Sequence, residues 1–228
     1  MKDSPREQTL KKVALAISKI TLPHPVRVGI DGMSASGKTF LADELANILR
    51  EEGKRVIRVG LDGFHNPPET RHAKGPMSVV GYLEDSFNFE VVEKKVLRPL
   101  GPGGNRKYLQ EIFDHQKGEV KKADWMEAPF DSILIFEGVT LFREGLSELF
   151  DFKIFVDCSE ETILKRAKMR DLAHFENLET LLYKYHKRFL PGQRRHLMEN
   201  KPMEIADLVF GNDVLKLPSI KTGMEREA

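Results

Sequence analysis

Gly32-Met33-Ser34-Ala35-Ser36-Gly37-Lys38-Thr39 decides the fold. The stretch fits G-x-x-x-x-G-K-[ST] at every specified position. The apolar run Val26-Arg27-Val28-Gly29-Ile30 ends just before it, and Leu41, Leu45, Ile48 and Leu49 recur at helical spacing after it. Strand, glycine-rich turn and helix, in that order, build a loop whose successive backbone N–H groups point at phosphate oxygens. Glycine permits the unusual dihedrals and the close approach. A helix starting near Gly37 adds its positive end. On this reading Gly32, Ser34, Ala35, Ser36, Gly37, Lys38 and Thr39 bind ATP with Mg2+. Lys38 reaches the β- and γ-phosphates and the Thr39 hydroxyl ligates the magnesium. A bare strand-to-helix turn is the alternative, and the flanking strand and helix weigh against it.

Outward from the loop, Leu10, Val13, Ala14, Ile17 and Ile20 predict an amphipathic N-terminal helix within residues 1–22, ended by Pro23 and Pro25. Gly53 terminates the helix after the loop, and Val56 to Leu61 reads as a second strand. Residues 63–104 are irregular, with one helix from Phe89 to Leu97. Further strands are expected at Ile133–Phe136, Phe152–Val156 and Leu208–Phe210, and helices at Ser159–Asp171 and about Leu178–Leu190. Alternating strands and helices predict an α/β fold, a three-layer sandwich with a parallel sheet covered on both faces. Residues 23–218 form a single domain, and residues 219–228 are expected to be a flexible tail.

In an open parallel sheet, ligands bind beyond the carboxyl ends of the strands. Asp62-Gly63-Phe64-His65 stands at the end of strand two, Glu137 at the end of strand three and Asp157 at the end of strand four. Asp62 is the candidate for orienting and deprotonating an attacking hydroxyl, with a turn or cap aspartate as the alternative. Glu137 sits where a carboxylate would act on the magnesium, directly or through water. Asp157 reads better as a capping or structural residue. His65 is a candidate substrate contact. Arg166 and Arg170, at i and i+4, share one helix face near the phosphate edge and are placed to neutralise a transferring phosphoryl group. A solvated basic face is the other reading.

The 228 residues carry Lys+Arg 36 against Asp+Glu 35, a net charge of +1, so no global field draws in nucleic acid or an anionic membrane. The basic stretch Lys184, Lys187, Arg188, Arg194 and Arg195 fits a phosphate-rich active site better than a nucleic-acid surface. No apolar run approaches the roughly 20 residues of a membrane span, and no signal peptide is visible. The one cysteine, Cys158, reads as a buried thiol and suits a reducing compartment, so a cytoplasmic location is expected. A homo-oligomer stays open.

Taken together, Asp31-Gly32-Met33-Ser34-Ala35-Ser36-Gly37-Lys38-Thr39 and Asp62-Gly63-Phe64-His65 resemble the uridine kinase family, within a wider group that includes phosphoribulokinase and bacterial pantothenate kinase. Ile135-Phe136-Glu137-Gly138, Arg166…Arg170-Asp171, Leu190-Pro191-Gly192-Gln193-Arg194 and Ala206-Asp207 extend the resemblance over residues 26 to 213. It implies a P-loop kinase with a five-stranded parallel sheet and a mobile lid, about residues 159–175. It implies Asp62 as catalytic base, Arg166 and Arg170 as lid arginines, and a small hydroxyl-bearing acceptor such as uridine or cytidine, bound by Asp62, His65, Tyr108 and Arg166. The sequence departs from the uridine kinase pattern, Asp-Ser-Phe-Tyr after strand two, in reading Asp-Gly-Phe-His, a form closer to pantothenate kinase. Tyr108, Phe113 and His115 stand loosely where that family has its nucleoside-binding tyrosine and histidine. A kinase for pantothenate or a sugar phosphate is therefore the alternative. A nucleotide switch is the rival from another class; Gly211-Asn212-Asp213-Val214 does not match the Asn-Lys-x-Asp motif that a GTPase switch would carry.

Overall fold

The computed structural model describes residues 3–114 and 117–222; His115 lies outside the described residues. Six strands form the central sheet: β1 (Val26–Gly32), β2 (Arg55–Gly60), β3 (Ser132–Glu137), β4 (Phe152–Asp157), β5 (Leu208–Gly211) and β6 (Ser219–Thr222). Their order is β6-β5-β4-β1-β3-β2. The first five are parallel, as expected. The sixth corrects the expectation of a five-stranded sheet and a flexible tail from residue 219. Ser219–Thr222 runs antiparallel along Leu208–Gly211 and satisfies an edge that would otherwise present unpaired N–H and C=O groups. Its short, polar sequence carries no apolar alternation, which is why the pairing leaves no trace in the residue pattern.

Period-two alternation along the strands divides the core into two layers. Ile133, Ile135, Ile154, Val156, Leu208 and Phe210 face one side and meet helices α1 (Pro5–Ser18) and α2 (Lys38–Glu51). Leu134, Phe136, Phe155 and Val209 face the other and meet the helix that runs from Phe89 to Leu97. The N-terminal helix is thus part of the domain core: Leu10, Val13, Ala14 and Ile17 are buried against the α2 layer. Ser4 caps it, with Glu7 reaching back to the Ser4 N–H. On β1, Gly29 makes room for two phenylalanines; a Cβ there would lie 2.8 Å from Phe142 Cε1 and from Phe150 Cγ.

The expected helix ending at Leu190 runs on. Residues Leu178–Lys184 are α-helical, Tyr185–Phe189 form a wider π turn, and the helix continues over Leu190–Asn200. Pro191 explains the turn. Its ring cannot donate a hydrogen bond and would crowd the carbonyl one turn back, and the wider turn relieves both problems. Among the described residues no helix is long and apolar enough to cross a membrane.

Arg27 enters β1 only 5% exposed. Its Nε and Nη2 donate to the two Asp151 oxygens at 2.9 and 2.8 Å, and its backbone N–H donates to Asp151 Oδ2 at 2.8 Å. Replacing Asp151 with Ala strands a buried guanidinium, and such breakage costs about 3–5 kcal/mol. Urea unfolding of Asp151→Ala is expected to show a midpoint lowered in proportion, with the slope unchanged.

Candidate active site

The loop between β1 and α2 has the backbone its glycines anticipate. Gly37 adopts φ +99°, and a Cβ there would lie 2.5 Å from Asn212 Nδ2. At Gly32 a Cβ would lie 2.6 Å from the Val156 carbonyl oxygen. Ala35 also takes a positive φ, 60°. Lys38 is 7% exposed, and its Nζ donates to Met33 O at 2.8 Å, across the mouth of the loop. Burial pushes its ammonium below the usual lysine range, against the pull of Glu137, Asp31 and Asp62. Thr39 Oγ1 donates to Glu137 Oε1 at 3.2 Å. Burial raises the Glu137 carboxyl, with Lys38 opposing.

Residues to which the sequence reading gave no role hold this loop in place. Asp31 is fully buried at the end of β1. Its Oδ1 accepts the Gly32 N–H at 2.7 Å, and its Oδ2 accepts the Phe142 N–H at 2.9 Å and faces His196 Nε2 at 2.9 Å. Gln193, one helical turn before His196, accepts the Ser34 N–H at 2.9 Å and donates to Tyr82 Oη at 2.8 Å. Asn212 Nδ2 donates to Ser36 O at 2.7 Å. Asp31 and Gln193 both stood within quoted motifs. Their signal was present, but their partners lie more than a hundred residues away.

Helix Glu160–Asp171 brings both predicted arginines to the loop, so the shared face holds. Arg166 is occupied by backbone, donating to Ser36 O at 3.0 Å and Asn212 O at 2.6 Å. Arg170 pairs with Asp171 at 2.5 Å and donates to Ser34 Oγ at 3.4 Å. Tyr185 Oη donates to Asp171 Oδ2 at 2.6 Å. Burial first, then Asp171, pushes the Tyr185 phenol up to about 12, so it stays a donor.

Asp62 lies in a short 3-10 turn after β2, exposed, with no ion-pair partner among the described residues. Asp62 acts electrostatically on Lys38, Glu137 and Arg170, so it stands near the loop, and Glu137 meets the loop directly at Thr39. His65 turns its Nδ1 to Asp62 O at 2.8 Å and stacks on Phe87 and Phe113, with ring centroids 4.4 and 5.9 Å away. Tyr108 corrects the expected substrate contact. It is 4% exposed and packs with Val96, Leu97 and Leu100, so it offers almost no surface to a ligand. Asp157 accepts the Asn212 N–H at 2.9 Å through its backbone carbonyl, which suits the structural reading. Cys158 is buried, its thiol pushed up to about 11 by burial.

A nucleoside triphosphate and magnesium fit these residues. Gly32 and Gly37 let the loop backbone pack where a Cβ would strike Val156 O or Asn212 Nδ2, and the Ser36 hydroxyl of the loop is buried without a partner. Thr39 and Glu137 offer the hard oxygen donors that magnesium takes. Asp31→Asn would turn an amide N–H toward one of the N–H groups that Asp31 accepts. A buried donor left unsatisfied costs about 1–3 kcal/mol. The variant is expected to unfold at lower denaturant and to bind a fluorescent ATP analogue at least severalfold more weakly, read by titration.

The family model described as the phosphoribulokinase/uridine kinase family matches residues 27–185. Uridine-cytidine kinase B of Dictyostelium discoideum is 31% identical over 180 residues, covering 78% of this chain and 72% of that one. A pantothenate kinase of Halalkalibacterium halodurans is 26% identical over 206 residues, covering 82% and 61%. A solved structure described as a possible uridine kinase from Bacillus stearothermophilus superposes with a TM-score of 0.71 at 22% identity, covering 89% of this chain and 97% of that one. The matched segment begins on β1, takes in the phosphate loop, Asp62, Glu137, Arg166 and Arg170, and ends at Tyr185; the chain belongs to the phosphoribulokinase/uridine kinase family.

Proposed function

We propose that this kinase transfers the γ-phosphoryl group of ATP to a hydroxyl of a small molecule, with Asp62 as the base. The observation that carries the reading is an exposed carboxylate, free of ion-pair partners among the described residues, within the electrostatic reach of Lys38, Glu137 and Arg170. A nucleotide switch needs no such group beside its phosphates.

Each residue has a part in the transfer. The backbone of Gly32 to Thr39 and the α2 N-terminus hold the phosphates. Lys38 leaves Met33 O for the β- and γ-phosphates and stabilises the charge that develops there. Thr39 and Glu137 would hold a magnesium ion, which would neutralise phosphate charge. Arg170 sits beside Ser34 and supplies a second cation. Asp62 orients the acceptor hydroxyl and accepts its proton as the new P–O bond forms. Arg166 braces the loop from behind, through the Ser36 carbonyl.

The name of the Dictyostelium relative supports a nucleoside acceptor such as uridine or cytidine. The burial of Tyr108 favours the second reading, an acceptor from another metabolite class. The phosphotransfer reading is common to both.

Asp62→Asn keeps size and most hydrogen-bonding capacity but cannot take the proton. Loss of a general base typically lowers the rate about 10²–10⁴-fold. A coupled ADP-release assay is expected to show that fall in kcat, with ATP affinity nearly preserved; unchanged phosphotransfer would remove Asp62 from the role of base.

The segment Ser159 to Phe175 is proposed as a lid. It carries Arg166 and Arg170, and its helix Glu160–Asp171 buries only Ile163 and Ala167. Closure over the acceptor would exclude water and suppress ATP hydrolysis. Amide hydrogen exchange across this segment is expected to slow when ATP analogue and acceptor are bound together. Equal exchange with and without ligands speaks against a lid.

A further inference from the structure

Four basic side chains, Arg71, His72, Lys184 and Arg188, gather where the segment after β2 meets the long helix. Arg188 is 3% exposed. Its Nη1 donates to Pro76 O at 2.6 Å and lies 3.2 Å from His72 Nδ1, and its Nη2 donates to Arg71 O at 3.4 Å. The Nε of Arg188 is buried with no partner, and so is the Nε of Arg71. Arg71 lies over the Phe113 ring at 5.5 Å, and Arg188 over Tyr82 at 5.9 Å. Lys184 Nζ lies over Phe175 and Phe189 at 5.4 and 5.5 Å.

A chain of contacts joins this cluster to Asp62 and the phosphate loop. His65, bonded to Asp62 O, lies 5.9 Å from Phe113, which underlies Arg71. Tyr82, beneath Arg188, is held by the same Gln193 that fixes Ser34, and it acts electrostatically with Asp62. Phe175, beneath Lys184, ends the proposed lid.

The charges are not compensated. Burial and then the neighbouring cations lower the pKa values of His72 and Lys184, and burial lowers that of Arg188. Among the described residues, the one carboxylate that acts on any of the four is Glu69, on Arg71. Three cationic side chains, partly or fully withdrawn from water and crowded together beside the exposed His72, are unfavourable unless an anion completes them. Pinning residues 71–76 to the helix needs only a neutral donor in place of Arg188. It gives no reason for Arg71 and Lys184 to stand beside it. Lys184 and Arg188 belong to the basic stretch that the sequence assigns to a phosphate-rich site; the structure adds Arg71 and His72 to them from a remote segment.

We propose that Arg71, Lys184 and Arg188, with His72, seat an anionic group of the acceptor, a phosphate monoester or a carboxylate. The molecule phosphorylated is then a hydroxyl compound that already carries negative charge, such as a sugar phosphate or a hydroxy acid, and not a neutral nucleoside. This deepens the kinase reading and rests on it for the word acceptor. Guanidinium and ammonium groups suit both anions through charge-assisted hydrogen bonds.

The experiment has two arms. In the first, the full chain is saturated with magnesium and a non-hydrolysable ATP analogue, so that the loop is filled, and is titrated with inorganic phosphate by calorimetry. Wild type is expected to bind phosphate at a second site. The double variant Arg71→Met/Lys184→Met is expected to bind at least about 10-fold more weakly, the scale of a lost charge-assisted hydrogen bond. Lys11→Met/Lys94→Met removes the same charge from exposed helix positions and is expected to bind as wild type does. No second site in wild type, or equal binding by the Arg71/Lys184 double variant, overturns the proposal. In the second arm, ADP release is measured with ribose, ribose 5-phosphate, ribonate and uridine. A charged sugar is expected to exceed ribose and uridine by about 10-fold or more in kcat/KM, and the better of the two names phosphate or carboxylate. Uridine used best, with equal KM in wild type and the double variant, also overturns it. Variant-sensitive phosphate binding with no turnover of any acceptor would leave the anion seat standing and fell the kinase reading alone.

Discussion

The buried carboxylate of Asp31 is the interaction on which the site depends. It accepts the N–H that begins the phosphate loop, the Phe142 N–H from the segment after β3, and the face of His196 on the long C-terminal helix. Three elements remote in sequence are thereby fixed to one pair of oxygens at the end of the central strand. The same helix carries Gln193, which holds Ser34, so the loop is clamped at its first residue and again two residues later. A phosphate cradle works only if its N–H groups already point inward before the ligand arrives. Buried, hydrogen-bonded charge secures that orientation, because any displacement leaves a carboxylate in the core without its donors.

Charge is then graded outward from this anchor. Lys38 waits on a backbone carbonyl within the loop, drawn by Glu137 and Asp62. Arg170 rests on Asp171, which Tyr185 also grips, at the rim. Each cation is held by a partner weaker than a triphosphate would be, so binding exchanges one set of contacts for a stronger one. Arg166 differs, because its donors end on the Ser36 and Asn212 carbonyls and its work is to brace the loop. Two arginines of one helix face thus have different partners, loop carbonyls for Arg166 and Asp171 with Ser34 for Arg170, a division their sequence spacing does not disclose.

The legible parts of the sequence were those governed by local rules. Alternating Ile133, Leu134, Ile135 and Phe136 named a strand buried on both faces, and the structure sends alternate residues into two different cores. The glycines of the phosphate loop named its backbone, since φ +99° at Gly37 excludes a side chain. What escaped were features made by distant partners. Pro191 was read as a helix end, but packing of the helix on both sides favoured a π turn over a break. Ser219–Thr222 shows no strand pattern, because Ile220 is its one apolar residue and backbone pairing against the edge of β5 holds the rest.

The sequence by itself therefore determined the fold class, the phosphate loop and the carboxylates at the strand ends, because strand periodicity, glycine dihedrals and strand-end position are properties of neighbouring residues. Tertiary structure alone decided the rest. It buried Tyr108, gave Asp31 and Gln193 their hydrogen-bond partners, and set Arg71 and Lys184 beside Arg188 though more than a hundred residues separate the first from the others. Long-range proximity of like charges has no signature along a chain; it arises only when packing brings the helices together and withdraws the water that would otherwise screen them.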